Sequence, residues 1–160
     1  MKLEIELVPT PLWGASLYRL LTKGQWNRIR IPVLDRAAGS CEVCGSASAR
    51  LQCHEQWRYD DVMGVRTLIG IEAVCAPCNS VLHIGRARRV GGQGQLDIQR
   101  VYDHFMMVNG IDWPAAQQVI QVAFEVHARR SKCEWTTDFG PYAAVVNERR
   151  SGFSDGRLPA

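Results

Sequence analysis

Four of the six cysteines stand in two Cys-x-x-Cys pairs, Cys41 with Cys44 and Cys75 with Cys78, and the dipeptide His54-Glu55 lies between the pairs. A Cys-x-x-Cys turn lets both sulfurs of a pair point at one ion, and two such knuckles supply the four thiolates of a tetrahedral zinc site. Four protein ligands leave no vacancy for water or substrate, so the chemistry expected of this site is structural. Zinc binding in small modules is worth about 10–16 kcal/mol, which rivals the roughly 5–15 kcal/mol that stabilises a whole domain. His54 and His83, the latter five residues past Cys78, form a second candidate set. A neutral imidazole suits transition metals and proton transfer alike, and the fixed relation of both histidines to the knuckles predicts that they hold a second divalent ion together. The zinc-protease pattern is excluded, because it requires a histidine four residues after His54 and Arg58 stands there.

Other chemistry-bearing residues have plainer readings. Cys53 sits at a core-facing strand position as a small hydrophobe, with a ligand role beside His54 as the alternative. Asp60 and Asp61 read as a solvated turn or as hard oxygen ligands for magnesium or manganese. His104 and His127 read as structural. Arg86, Arg88 and Arg89 follow His83 closely, and guanidinium groups grip phosphate bidentately, so these three are the candidate nucleic-acid contacts; a solvated linker explains them equally well. Arg28, Arg30, Arg129, Arg130 and Lys132 extend the list of cations, those at a helix C-terminus having a dipole explanation too.

The bulk numbers bound these readings. The chain has 160 residues, 46% hydrophobic and 22% charged, the profile of one ordinary globular domain. No apolar run approaches the roughly 18 residues of a membrane span, and the N-terminus lacks the basic-then-apolar pattern of a secretory signal. The expected location is therefore cytoplasmic, where thiols serve as metal ligands more often than as crossbridges. A net charge of +3 and a pI near 8.6 are compatible with a polyanionic partner, but fall short of the pI above about 9 that marks strong nucleic-acid binders.

The elements that must position these groups follow from periodicity and caps. Leu3, Ile5 and Leu7 alternate with charged residues and predict an N-terminal strand over Lys2 to Val8. Thr22 and Gln25 make a capping box, with Trp26, Ile29, Val33 and Leu34 at helical spacing behind them and Pro32 expected to kink or interrupt the helix. Short strands are expected around Leu51 and over Ile69 to Val74, with a short helix after Cys78. Arg86 to Gln95 reads as a flexible cationic connector. Two tail helices follow, from Asp97 to a stop at Gly110 and from Asp112 onward, forming an apolar hairpin that packs on the module or provides an interface for a second copy or a protein partner. A late strand around Trp135, Thr137 and Phe139 is expected to pair with the N-terminal one. The organisation is a single α+β domain, 1–160: an N-terminal strand and helix (1–37), the cysteine-rich module (38–86), the helical hairpin and late strand (87–146), and a flexible tail (147–160).

The strings CEVCG, LQCHEQW and VCAPCNSVLH resemble the HNH endonuclease family over residues 38–86. The resemblance implies a small zinc-stabilised ββα-metal (treble-clef) module flanked by helices and a few short strands. It also implies a metal-dependent nuclease hydrolysing phosphodiester bonds, with DNA as partner, Zn2+ as structural ion and Mg2+, Mn2+ or another divalent ion for catalysis. Carried over by position, the catalytic set is His54 as ligand, Glu55 as base, and Asn79 and His83 on the helix. Two departures stand out. The family's base is a histidine, whereas Glu55 has an ordinary pKa of about 4.3 against about 6.5 for imidazole, and the family's middle asparagine has no counterpart between His54 and Cys75, Gly70 falling nearest. A second register makes Cys53 the ligand and His54 the base. The alternative function is a catalytically inactive zinc-binding module that recognises nucleic acid or a protein.

Overall fold

The computed structural model describes residues 1–152. The fold is α+β, a three-stranded sheet with helices before and after its hairpin. An extended N-terminal segment leads through the turn Thr10–Leu12 to α1 (Leu17–Leu20) and α2 (Lys23–Ala37); β1 (Gln52–Asp60) and β2 (Val65–Val74) form a hairpin; α3 (Ala76–Leu82), α4 (Ile84–Gly92), α5 (Ile98–Asn109) and α6 (Trp113–Arg130) follow; β3 (Thr136–Asp138), the turn Gly140–Tyr142 and α7 (Ala143–Gly152) complete the chain. The expected tail 147–160 is therefore helical as far as Gly152, and its remainder lies outside the described residues. No helix among the described residues is long and apolar enough to cross a membrane.

Local chemistry sets the helix starts where the sequence places them. Thr22 accepts a hydrogen bond from the Gln25 backbone while the Gln25 side chain accepts from Thr22 N–H, closing the capping box. Asp97 and Asp112 cap α5 and α6 through their carboxylates, and Gly110 ends α5 in the left-handed region. Pro32 does not interrupt α2, which continues to Ala37 and buries Ile29, Val33 and Ala37. The connector Arg86 to Gln95 is mostly helical rather than flexible: α4 buries Ile84 and Ala87 one turn apart, and only Gln93 to Gln95 fall outside the helix.

The hairpin turns at Asp60, whose carboxylate accepts from Val62 and Met63 N–H, and Gly64 supplies the positive φ that closes it. β1 pairs antiparallel with β2, with a bulge between Gln56 and Trp57. β3 pairs with β2, in parallel, and not with the N-terminal segment. A parallel partner requires a long crossover. Helices α3 to α6 are that crossover, and the β3 end is fastened where Arg130 meets Asp61 and Trp135 donates its indole N–H to Arg130 O.

The N-terminal segment is extended but joins no sheet. Leu3 is fully buried and Ile5 and Leu7 pack beside it, as the alternation requires, yet they lie on the helical core. Its hydrogen bonds are few: Glu6 N–H donates to Leu82 O, and the Asn109 amide takes Lys2 and Leu3 N–H and donates to Leu3 O, standing in for a neighbouring strand. Period two reports one buried side, which a segment lying on helices satisfies as well as a strand does.

Two apolar cores result. One joins the four knuckle cysteines to Val81, Ile84, Val101, Phe105 and Ile120 of the helices; the other packs Leu68, Ile71 and Ala73 of β2 against Leu17, Ile29 and Val33. Arg66 is buried in the second region, its guanidinium 4.1 Å from the Trp57 ring centre and hydrogen-bonded to Ala15 O and Thr137 Oγ1. A buried guanidinium is tolerable only when its donors are met, and here it ties β2 to β3 and to the loop before α1.

Candidate metal centres

The four knuckle sulfurs converge. Cys41 and Cys44 lie in the loop after α2, Cys75 caps α3 and Cys78 lies in its first turn, and their Sγ atoms all fall within 4.8 Å of one another. Four sulfurs about 2.3 Å from one zinc ion sit about 3.8 Å apart in a regular tetrahedron. The Cys44 to Cys75 separation, 3.7 Å, matches that spacing. The electrostatics agree: burial and neighbouring sulfurs push the Cys75 thiol up to about 11 and Cys78 higher still, while Cys44, despite its burial, is drawn down to about 7 by hydrogen bonds from Ser46. Sulfurs held this close resist ionising together unless a cation accompanies them. The residues present fit a closed metal site.

His104 belongs to this centre although its sequence position, 26 residues past Cys78 on α5, gives no hint of it. Its Nε2 lies 3.2 Å from Cys78 Sγ, within range of an N–H···S bond that would support a metal-bound thiolate. His127, in contrast, lies near the end of α6 with Nε2 3.4 Å from Ser131 Oγ.

The two other expected ligands also meet. His54 on β1 and His83, between α3 and α4, have ring centres 5.0 Å apart at 66°. His54 is 5% exposed, and its Nε2 is 3.0 Å from Glu6 Oε2; the other carboxylate oxygen of Glu6 is buried and has no hydrogen-bond partner. Burial, then the charges of His54 and Arg86, hold His83 down at about 4, so its imidazole is neutral near pH 7. Glu72 faces His54 across the hairpin, and burial raises its carboxyl above the usual range. Glu6 is the residue that sequence reasoning missed. Among the described residues only the four cysteines form a set of three or more ligand atoms that already converge.

No family model, no curated protein and no solved structure matches this chain.

The remaining expected site residues are placed as follows. Strand alternation turns Glu55 to the face opposite His54, where one carboxylate oxygen accepts from Leu17 N–H at 2.7 Å and the other from the Trp57 indole at 3.2 Å. Burial raises its pKa. Cys53 shares that face and packs against the α2 core, its thiol also raised by burial. Asn79 donates to Gln52 Oε1 and so ties α3 to the start of β1. Asp60 closes the hairpin and Asp61 pairs with Arg130 at 2.7 Å, so neither aspartate stands beside the histidines as an additional ligand. Arg86 and Arg89 border the cavities that reach His83, whereas the Arg88 guanidinium lies 5.1 Å from the Phe124 ring on the α6 side.

Proposed function

We propose that this chain is a metal-dependent endonuclease of the HNH type, with a treble-clef zinc module and a second divalent-ion site, hydrolysing phosphodiester bonds in DNA. The observation that carries the reading is the pairing of the buried His54 with the half-buried His83, beside a Glu6 carboxylate whose Oε2 meets His54 Nε2 and whose Oε1 is buried without a partner. A hairpin followed by a helix, with four sulfurs gathered at the helix start, supports the module. His54, His83 and Glu6 would hold the second ion after a side-chain rotation that brings their ligand atoms together. A bound Mg2+ or Mn2+ supplies Lewis-acid stabilisation of charge on a phosphodiester oxygen. The neutral His83 presents a lone pair, Glu6 supplies the negative charge, and Arg86 at the rim offers a guanidinium to a backbone phosphate.

Plasmid and single-stranded substrates incubated with Mg2+, Mn2+ or Ni2+ test this. Cleavage is expected with the wild type, and a loss of roughly 10²-fold or more with His54→Ala, the scale of a removed catalytic side chain. Glu6→Gln should lower the affinity for the second ion while the zinc content stays at one per chain. Uncleaved substrates with every ion exclude the enzyme.

A second reading, a zinc-stabilised nucleic-acid-binding module without catalysis, is favoured by Glu55. Both oxygens of the expected base are occupied by Leu17 N–H and the Trp57 indole, on the sheet face away from His54.

A further inference from the structure

Above the histidine pair, the loop before α1, α1 itself and the edge strand β1 enclose a groove of about 730 Å³. Its wall is unusual for a soluble surface. Trp13 and Tyr18 are 67% and 69% exposed, although large aromatics are ordinarily covered. Neither ring hangs free: the Trp13 indole N–H donates to Val8 O at 2.8 Å, and Tyr18 sits edge-on to Trp26 with ring centres 6.0 Å apart. Arg19 and Arg86, both exposed, stand on the same groove. Two carboxylates border it as well, but Glu6 lies beside His54 and Glu55 under Leu17 N–H and Trp57, both largely covered, so the exposed charge on the groove is that of the two arginines.

We infer that this groove binds single-stranded nucleic acid, with unstacked bases lying on Trp13 and Tyr18 and the sugar-phosphate chain following Arg19 and Arg86 toward His83. This deepens the nuclease reading and rests on it for the fate of the strand, but binding itself needs no chemistry. Exposed aromatic faces favour unpaired bases, because in a duplex each base already stacks on its neighbours and offers its edges only. Fixed rings lose little freedom when a base settles on them, and two cations on one groove provide the backbone grip that stacking alone lacks.

Fluorescence anisotropy with labelled 12-mer oligo-dT, oligo-U and a blunt 12-base-pair duplex, without added divalent ions, tests the inference. The expected result is at least tenfold tighter binding of a single strand than of the duplex, the better of the two strands identifying the sugar. Trp13→Ala and Tyr18→Ala should each weaken that binding by about 5- to 100-fold, and Arg19→Gln or Arg86→Gln should reduce the salt slope by about 0.7. Zinc content and circular dichroism confirm that the variants are folded, which their exposed positions favour. Equal or tighter duplex binding overturns the inference. So does unchanged single-strand affinity in the Trp13→Ala/Tyr18→Ala double variant. A protein that binds the strand and cleaves nothing removes the nuclease reading and leaves the groove standing; one that cleaves duplex without binding single strands does the reverse.

Discussion

The sulfur centre and the imidazole centre share helix α3 and differ in how they are built. The cysteines come from two tight turns whose spacing alone aims their sulfurs, and they meet in a cluster that already has zinc dimensions. The histidines come from a strand and from a helix junction, and their third member, Glu6, arrives from an extended segment that the chain folds across the hairpin. In the first centre each pair is local, although the two pairs meet across 31 residues, and the site is closed; in the second every member arrives through tertiary packing, and the site borders a cavity. Closed four-thiolate coordination couples metal binding to folding, so its ligands have to converge in the folded chain, whereas the histidines and Glu6 hold a second ion only in the function proposed above.

The largest separation between the two should appear on metal removal. Chelation of the zinc, or Cys78→Ser, should abolish cooperative thermal unfolding of the module, since about 10 kcal/mol or more of metal binding is lost. Acid should do the same, because protons compete for the thiolates. His54→Ala should leave the zinc and the melt in place. A zinc-free protein with an unchanged melting curve would erase the distinction.

The next effect is a pH dependence belonging to the imidazole centre. His83 is held near 4 in the fold against about 6.5 unfolded, so the unfolded chain binds the additional proton between those values. Stability is full above about pH 6.5 and falls as the pH drops toward 4, by about 3 kcal/mol in all. His83→Gln should remove that component, and the difference between the two denaturation profiles isolates it from acid loss of zinc. Parallel profiles would mean that His83 is not buried as described.

A smaller effect should return to the sulfur centre. His104→Phe keeps the volume of α5 against Cys78 but removes the N–H, and zinc affinity should fall by about 10- to 100-fold with the helix content intact. Competition with a chromogenic chelator measures it. Smallest of all is the ion pair that fastens the hairpin far from either centre. Arg130 holds Asp61 below the ordinary carboxylate range, so its contribution is present above about pH 4 and is lost as the pH falls through the folded value. Because both side chains reach solvent, Asp61→Asn should cost less than about 1 kcal/mol, read by urea denaturation.

The same contrast explains what could be read from the residues beforehand. The knuckles, the three capped helices and the apolar stripes of α5 and α6 are written in spacings of three to seven residues, and each appears where expected. The meeting of His54 and His83 was legible because both are tied to the knuckles. Glu6 was not, since its 48-residue separation from His54 leaves no local signature, and the alternation around it describes burial without naming the partner. The parallel docking of β3 depends on the length and course of a four-helix crossover. His104 reaches Cys78 only because α5 packs on α3, a contact between apolar faces that brings one imidazole along. Glu55 fails as a visible base for a related reason: adjacent strand residues face opposite ways, so a dipeptide cannot serve one site from a regular strand.

Asn109 closes the account. Its amide clasps Lys2 and Leu3, four and three residues upstream of the carboxylate that accompanies His54, and so the end of α5 helps to dictate where that negative charge stands. The groove's polarity is thus under remote control. Sequence drift at the last turn of α5 could retune the imidazole pair while every residue lining it stayed the same.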